Sequence, residues 1–411
     1  MPILVLNSGS SSLKFSLYDR LPALEFILEG DISGVGGDAT MEILARGGSG
    51  LGIRREPVKA GTLYDALALV LDRLGGEMVP EIEAIGYRVV HPGPHLEGHQ
   101  RITPQVLKEL EAATPFAPLH DPPARQLIQL GMQRYARVPQ FACFDTVFHR
   151  TMPPEASTYP LPEAVRAQGV RRYGFHGLSC ESIVAQLEVY GGVPKRMIIA
   201  HLGSGCSVTT VLDGKSIDTT MGLTPTGGVV MGTRPGDLDP GLMLYLERHA
   251  VDDHVLDPAS AVEDMLNHNA GMVALSGQPN DMRKVRWAAS GGDAKAQLAV
   301  AVFVHSLKKA IGAAHFVLGG LDALVFTGGI GEHDAATRAE VLAGLESLGI
   351  ALDPLKNDDP LAAQRDAVRD ITASNGATGK TVAGAASILV LPAQEDWVIA
   401  RHVDRMLHEA T

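Results

Sequence analysis

MPILVLNSGSSSLKFSLYD, residues 1–19, sets an apolar run at Ile3–Leu6 against an alternating run at Leu13, Phe15 and Leu17, with a polar turn between them. The first run has the pattern of a buried strand, the second that of a strand with one buried face. A P-loop would need GxxxxGK[ST] leading into a helix, and that pattern is absent. The stretch therefore reads as a β-hairpin. Its tip carries Asn7, Ser8, Gly9, Ser10, Ser11 and Ser12, with Lys14 just beyond. Hydroxyls, backbone N–H groups and one ammonium suit a phosphate, whose charge several donors can share. Taken alone, the same residues are also ordinary turn formers on a surface.

The hairpin has a counterpart. MIIAHLGSGCSVTTVLD, residues 197–213, again runs apolar strand, Gly/Ser turn, alternating strand and aspartate over the same length as Ile3–Asp19. It continues through Asp213-Gly214, a strong hairpin signal, into KSIDTTMGL. Two such units half a chain apart predict a duplicated domain, against the alternative of two unrelated Gly/Ser turns.

At 411 residues the chain is long enough for two domains. Its net charge of −12, with no compensating basic tract, argues against nucleic acid as a partner. No apolar run reads as long enough to cross a membrane, and Met1-Pro2 opens no signal peptide. Cys143, Cys180 and Cys206 match neither a disulfide framework nor a zinc site, so a reducing cytoplasm is expected.

Further along, the pattern predicts helices at 62–75, 104–113, 240–249, 259–268 and 293–318, and strands at 82–90 and 139–144. ALVFTGGIGE, residues 323–332, reads as a buried strand and glycine turn before a helix from Ala335 to Leu348, a ready anion site. Residues 353–380 are irregular. GATGKT within that region lacks both the first glycine and the strand-to-helix setting of a phosphate loop. A strand, a short turn and an amphipathic helix close the chain.

Five stretches gather chemistry-bearing residues. YRVVHPG holds Arg88 and His91, FAPLHDPP holds His120 before a helix, and FACFDTVFH holds Asp145 and His149. RRYGFHGLS holds Arg171, Arg172 and His176, and MGTRPGDLDPG holds Arg234 and Asp237. Each alone has a plainer reading as a surface ion pair, a hydrogen-bonded filler or a cap. Together, beside two phosphate-type hairpins, they point to phosphoryl chemistry.

NSGSSSLK, RVVH, PLH, FDTVFH, RYGFHG, HLGSGCS, GTRPGDLDPG, FTGGIGE and the closing ED-VIAR resemble the acetate kinase family, in family order from residue 7 to 401. The resemblance implies an α/β chain of two duplicated ribonuclease-H-like domains around a nucleotide cleft, as in sugar kinases, chaperone ATPases and actin. It places the first domain at 1–148 plus 391–411, and the second, with the nucleotide loops and dimer interface, at 149–390. The activity it implies is reversible transfer from ATP to acetate, giving acetyl phosphate and ADP, in a cytoplasmic homodimer with Mg2+ or Mn2+. By the same resemblance Asn7 and Glu395 serve the metal, and Lys14, Ser10 and Ser12 the phosphates. Arg88, Arg234, His176, His120 and Asp145 are the catalytic set. Arg88, Val90, Leu119, Phe175 and Pro225 hold the acyl substrate. His201, Leu202, Gly203, Ser204 and Gly205, with Asp281, Met282, Arg283, Gly329, Ile330, Gly331 and His333, form the nucleotide loops.

The chain departs from the family pattern at Ser204 (usually asparagine), Cys206 (alanine), His333 (asparagine), Cys180 (histidine) and Gly227 (glutamate). Nucleotide preference, ATP against GTP, is what these departures bear on. The nearest alternative is a propionate or butyrate kinase on the same fold. An alternative of another class is a non-kinase nucleotide-binding protein of the same superfamily. The pair Arg88 and Arg234 favours the enzyme, since a chaperone ATPase needs no carboxylate clamp.

Overall fold

The computed structural model describes all residues except 1, 10–11, 21–22, 48–49, 75–80, 118–120, 253–256, 360–367, 374–384 and 410–411, and the side chains of 46–47, 50–51 and 250–252. The GATGKT stretch and the sites expected at Ser10, Leu119 and His120 fall outside the described residues. Two compact units emerge: Met1–Val147 with Gln394–Thr411, and Phe148–Ala393.

In the first unit, β1 (Pro2–Ser8) and β2 (Ser12–Asp19) form the opening hairpin, with Asn7 opposite Lys14. β3 (Glu25–Ser33), β4 (Thr40–Gly47) and β5 (Gly50–Pro57) extend it as an antiparallel meander. β6 (Ala84–Val89) pairs parallel with β1, and β8 (Gln140–Phe144) parallel with β6; β7 (Gln100–Arg101) closes the edge. The sheet order is β5-β4-β3-β2-β1-β6-β8-β7. Alternation along β6 points Ile85, Tyr87 and Val89 into the core formed with helices Leu63–Leu74 and Asp121–Arg134. Gly86 and Arg88 therefore take the opposite face. There the helix Glu395–Glu409 closes in: a Cβ on Gly86 would lie 2.6 Å from Ile399 and 2.9 Å from Val403. The bare glycine lets that helix come close to the strand carrying Arg88.

The second unit repeats the plan. β9 (Arg196–Leu202), β10 (Cys206–Leu212) and β11 (Lys215–Thr219) form the meander. β12 (Ala323–Thr327) pairs parallel with β9, β14 (Ser387–Val390) parallel with β12, and β13 (Arg369–Asp370) closes the edge. Its order, β11-β10-β9-β12-β14-β13, matches β3-β2-β1-β6-β8-β7 strand for strand. Asp213 and Gly214 both have positive φ, 49° and 75°, as the tight turn between β10 and β11 requires. This is the duplicated α/β fold of sugar kinases and actin.

The hairpins differ in one respect. Ser8 pairs with Leu13 around a four-residue tip, whereas Leu202 pairs with Cys206 around only Gly203–Gly205. Equal sequence length thus conceals a register shift of one residue.

Two expectations change, and three strands carried none. Strands β3–β5 were not legible, because most side chains of β3 are only partly buried and no clean alternation marks them. The helix expected at Ala335–Leu348 is instead a short helix Gly328–His333 and a second, Ala335–Leu342, which ends before Gly344 at φ 84°. One apolar run does reach membrane-spanning length: among the described residues, Ala294–Leu318 is long and apolar enough by length and composition. It packs against β9 and β10 and buries Ala299, Phe303, Leu307, Ile311 and Ala314, one face at helical spacing.

Candidate functional site: two clusters at strand ends

In the first unit the carboxyl ends of parallel strands β1, β6 and β8 collect Asn7, Arg88 and Asp145, the edge where open α/β sheets bind ligands. Arg88 Nη2 donates to Asp145 Oδ2 at 2.5 Å and Nε to Oδ1 at 3.2 Å, a bidentate pair in which the carboxylate is 1% exposed. Nη1 donates to Asn7 Oδ1 at 3.3 Å, and Glu395, first residue of the terminal helix, lies 3.6 Å from Nε. Burial works against the guanidinium charge, but Asp145 and Glu395 outweigh it and raise the Arg88 pKa further. Next to Glu395, Asp396 accepts from the buried Ser16 hydroxyl on β2 at 3.0 Å, and burial pushes its carboxyl up to about 6. This bond anchors the helix start to the hairpin. Lys14 stands exposed on β2, and Ser12, partly buried, precedes it. Val90 is half-buried just after β6. His91 instead braces a turn: its N–H donates to Asp121 Oδ1 and its Nδ1 accepts from Gly93 N–H.

The second cluster gathers around the β9–β10 tip. His176 precedes helix Gly177–Tyr190 in left-handed backbone, φ 59° and ψ 26°, a conformation costing an ordinary residue about 1–2 kcal/mol. Its Nδ1 meets Ser207 Oγ at 3.0 Å on β10, and its ring stacks on His201 at 4.1 Å. His201 is held in turn by Ser179 Oγ at 2.8 Å. A Cβ on Gly205 would lie 3.2 Å from His176 Nε2 and 3.7 Å from Arg234 Nη1. An imidazole and a guanidinium thus flank one bare glycine. Arg234 Nη1 donates to the carbonyl of the buried Pro225 at 3.3 Å, and burial lowers its pKa. Phe175 is buried beside His176. Asp237 accepts from Gly228 N–H at 2.7 Å and lies against the space above Gly227.

The departures acquire physical readings. Ser204 Oγ accepts from Asn280 Nδ2 at 2.8 Å, tying the tip to the loop before Asp281. Burial pushes the Cys206 thiol up to about 12, so it stays neutral and donates to Gly203 O. Cys180 is core. His333 is exposed at the end of its short helix, near exposed Gly329 and half-buried Ile330. Asp281 caps helix Met282–Ser290 and pairs with Arg283, whose side chain is 91% exposed, a pair of small energetic weight.

Two supports escaped the sequence reading. Glu332 Oε1 accepts both Gly328 N–H (2.9 Å) and Ala393 N–H (3.1 Å). Arg338, 1% exposed, donates to Asn357 Oδ1, Gly331 O, Glu332 O and Asn357 O at 2.7–3.0 Å, tying up the carbonyls of the glycine loop. Neither has a local sequence signal, since its partners lie up to 61 residues away.

A repeated meander-and-parallel sheet with charged clusters at the strand ends fits a phosphotransferase of the acetate kinase class. The sequence profile of the acetokinase family matches residues 2–401, and the chain belongs to that family. An acetate kinase of Deinococcus deserti is 40% identical over 100% of this chain and 99% of its own, and one of Nostoc punctiforme 37% over 99% and 100%. Among solved structures, Porphyromonas gingivalis acetate kinase superposes with a TM-score of 0.83 at 30% identity, covering 99% of both chains. A propionate kinase from Francisella tularensis gives 0.85 at 33%, covering 97% of this chain and 98% of that one.

Arg338→Lys replaces a planar fork by a point charge and leaves buried carbonyls of the glycine loop without donors. The expected cost is about 1–3 kcal/mol, read as a lower thermal unfolding midpoint. An unchanged midpoint shows that those carbonyls do not depend on the guanidinium.

Proposed function

We infer that the chain catalyses reversible transfer of the ATP γ-phosphoryl group to acetate, forming acetyl phosphate and ADP. A carboxylate oxygen of acetate forms the new P–O bond as the bond to the ADP oxygen breaks, so no proton need leave the acceptor. The chemistry asks for positioning and neutralisation of spread negative charge. The observation that carries the reading is that His176 Nε2 and Arg234 Nη1 both face the space over Gly205, 3.2 and 3.7 Å from where a Cβ would lie. In this reading they receive the phosphoryl oxygens, with Arg88 toward the acceptor carboxylate and Val90, Phe175 and Pro225 around its methyl group. Lys14 and Ser12, and the loops at 201–205, 281–283 and 329–333, take the nucleotide.

Asn7, Asp145 and Glu395 gather oxygen donors around the Arg88 guanidinium, two of them carboxylates. That donor set fits Mg2+, or Mn2+, with Asn7 and Glu395 as the holders. When bound, such an ion neutralises charge on the phosphate oxygens.

A second copy of the chain is the partner we assign to the second unit. Supporting it, Leu298, Phe316 and Val317 on helix Ala294–Leu318 are 54–87% exposed, as are Leu244 and Tyr245 on helix Pro240–Asp252 at 53–54%. Sedimentation should report twice the chain mass; a monomer at micromolar concentration refutes this assignment.

Trapping the acyl phosphate with hydroxylamine, using acetate, propionate and butyrate in competition, tests the reaction. Acetate should lead propionate by only the 1–3 kcal/mol that about one methylene is worth in an apolar pocket. A strong preference for butyrate moves the chain to the other reading. Arg88→Ala or Arg234→Ala should each lower kcat about tenfold to a hundredfold, from loss of a charge-assisted contact, with little change in ATP affinity.

Asp145 tests the mechanism differently. Acetate has a pKa near that of a side-chain carboxyl, about 4, and arrives ionised. A base has no role, and Asp145 is already engaged with Arg88. Asp145→Asn should lower activity and raise the magnesium requirement without removing a limb from the pH–rate profile near neutrality. Loss of such a limb, with no response to added magnesium, makes Asp145 a base and overturns this account.

A further inference from the structure

His149 stands outside the groups assigned above, yet it is 1% exposed and bonded at both ring nitrogens. It follows β8 in the segment Val147–Thr151, four residues beyond Asp145. Nε2 lies 2.9 Å from the Phe175 carbonyl oxygen, and Nδ1 lies 2.9 Å from Ser216 Oγ on β11. A carbonyl can only accept, so Nε2 carries the proton. In the neutral ring Nδ1 then accepts from the Ser216 hydroxyl. Burial lowers the His149 pKa to about 4, so the ring keeps this form through the neutral range. Ser216 is itself fully buried, and its carbonyl accepts from Thr151 Oγ1 at 2.7 Å.

The Phe175 carbonyl belongs to the peptide immediately before His176. The orientation of that peptide sets φ at His176, which is +59°. Left-handed backbone at a histidine persists only where its surroundings over-determine it. The peptide is held on the other side by Gly174, also at positive φ, where any Cβ would come within 2.7 Å of the His149 ring. His149 therefore packs directly under the turn as well as bonding to it. We propose that His149 is the positioning residue for His176: its Nε2–H fixes the Phe175–His176 peptide in the strained conformation that aims the His176 imidazole at Gly205. This rests on the role assigned to His176 in phosphoryl transfer. His149 itself touches no substrate in this account; it acts on orientation alone.

His149→Phe keeps a ring of similar size but removes the donor, and His149→Gln restores an N–H. The first should lower kcat on the order of tenfold to a hundredfold, as misplacement of a reacting group does, with KM for ATP changed less than about threefold. The second should recover much of that loss. In a His176→Ala background, His149→Phe should cost less than about threefold further, since the group it positions is gone. An additive loss in that background, or wild-type kcat in His149→Phe, overturns the proposal. Ser216→Ala, which removes only the hydroxyl under Nδ1, provides a milder variant should His149→Phe not fold; it should lower kcat severalfold, and an unchanged kcat counts against the proposal. Side-chain 15N NMR of the wild type should report His149 as the neutral Nε2–H tautomer at pH 6, and any other state overturns the proposal whatever the activity. A wild-type protein that shows this tautomer but forms no acyl phosphate instead refutes the assigned reaction.

Discussion

Parallel pairing of β1 with β6 and of β6 with β8, repeated by β9 with β12 and β12 with β14, is the constraint from which each unit follows. Parallel strands cannot be joined by a tight turn, so the chain must cross over, and the crossings cover the sheet with helices. Both faces are then buried, which explains strands as apolar as Ile3–Leu6 and Ala323–Phe326. The same pairing brings the carboxyl ends of three strands to one edge. Polar residues at those ends, beginning with Asn7, Arg88 and Asp145, meet there without interrupting the core.

Closeness at that edge is limited by packing. Gly86 leaves no side chain between β6 and helix Glu395–Glu409, and this places Glu395 within 3.6 Å of Arg88. Breaking the Arg88–Asp145 pair from either side would strand a charge in a confined place, a larger penalty than the pair's own net stabilisation. In the second unit the equivalent work falls to hydrogen bonds. Ser207, Ser179 and the Phe175 carbonyl hold two stacked imidazoles and one strained backbone turn. The neutral Cys206 thiol beside Arg234 adds no competing anion.

Much of this was legible in the residues. The two hairpins, their turn chemistry at Asp213-Gly214 and the duplication they imply are local patterns, since alternation and turn preference act over a few residues. The groups Asn7, Arg88, Asp145, His176 and Arg234 stand out because charged and titratable residues sit beside apolar strands and glycine turns. Strands β3–β5 were not legible, as their partly buried faces carry no clean period. Nor was the end of the helix after Asp334, where Gly344 outweighs an otherwise helical run.

By itself, then, the sequence determined the paired hairpins and the long apolar or amphipathic elements, that one plan is used twice, and which residue types stand at the strand ends. Tertiary structure alone decided the one-residue register shift between hairpins of equal length, because pairing depends on how each tip closes. It alone decided that Arg338 serves the glycine loop and that His149 serves the turn before His176. Those bonds join residues 6–26 positions apart through backbone carbonyls. Every residue type presents the same carbonyl, so no sequence pattern marks which one a buried side chain will meet.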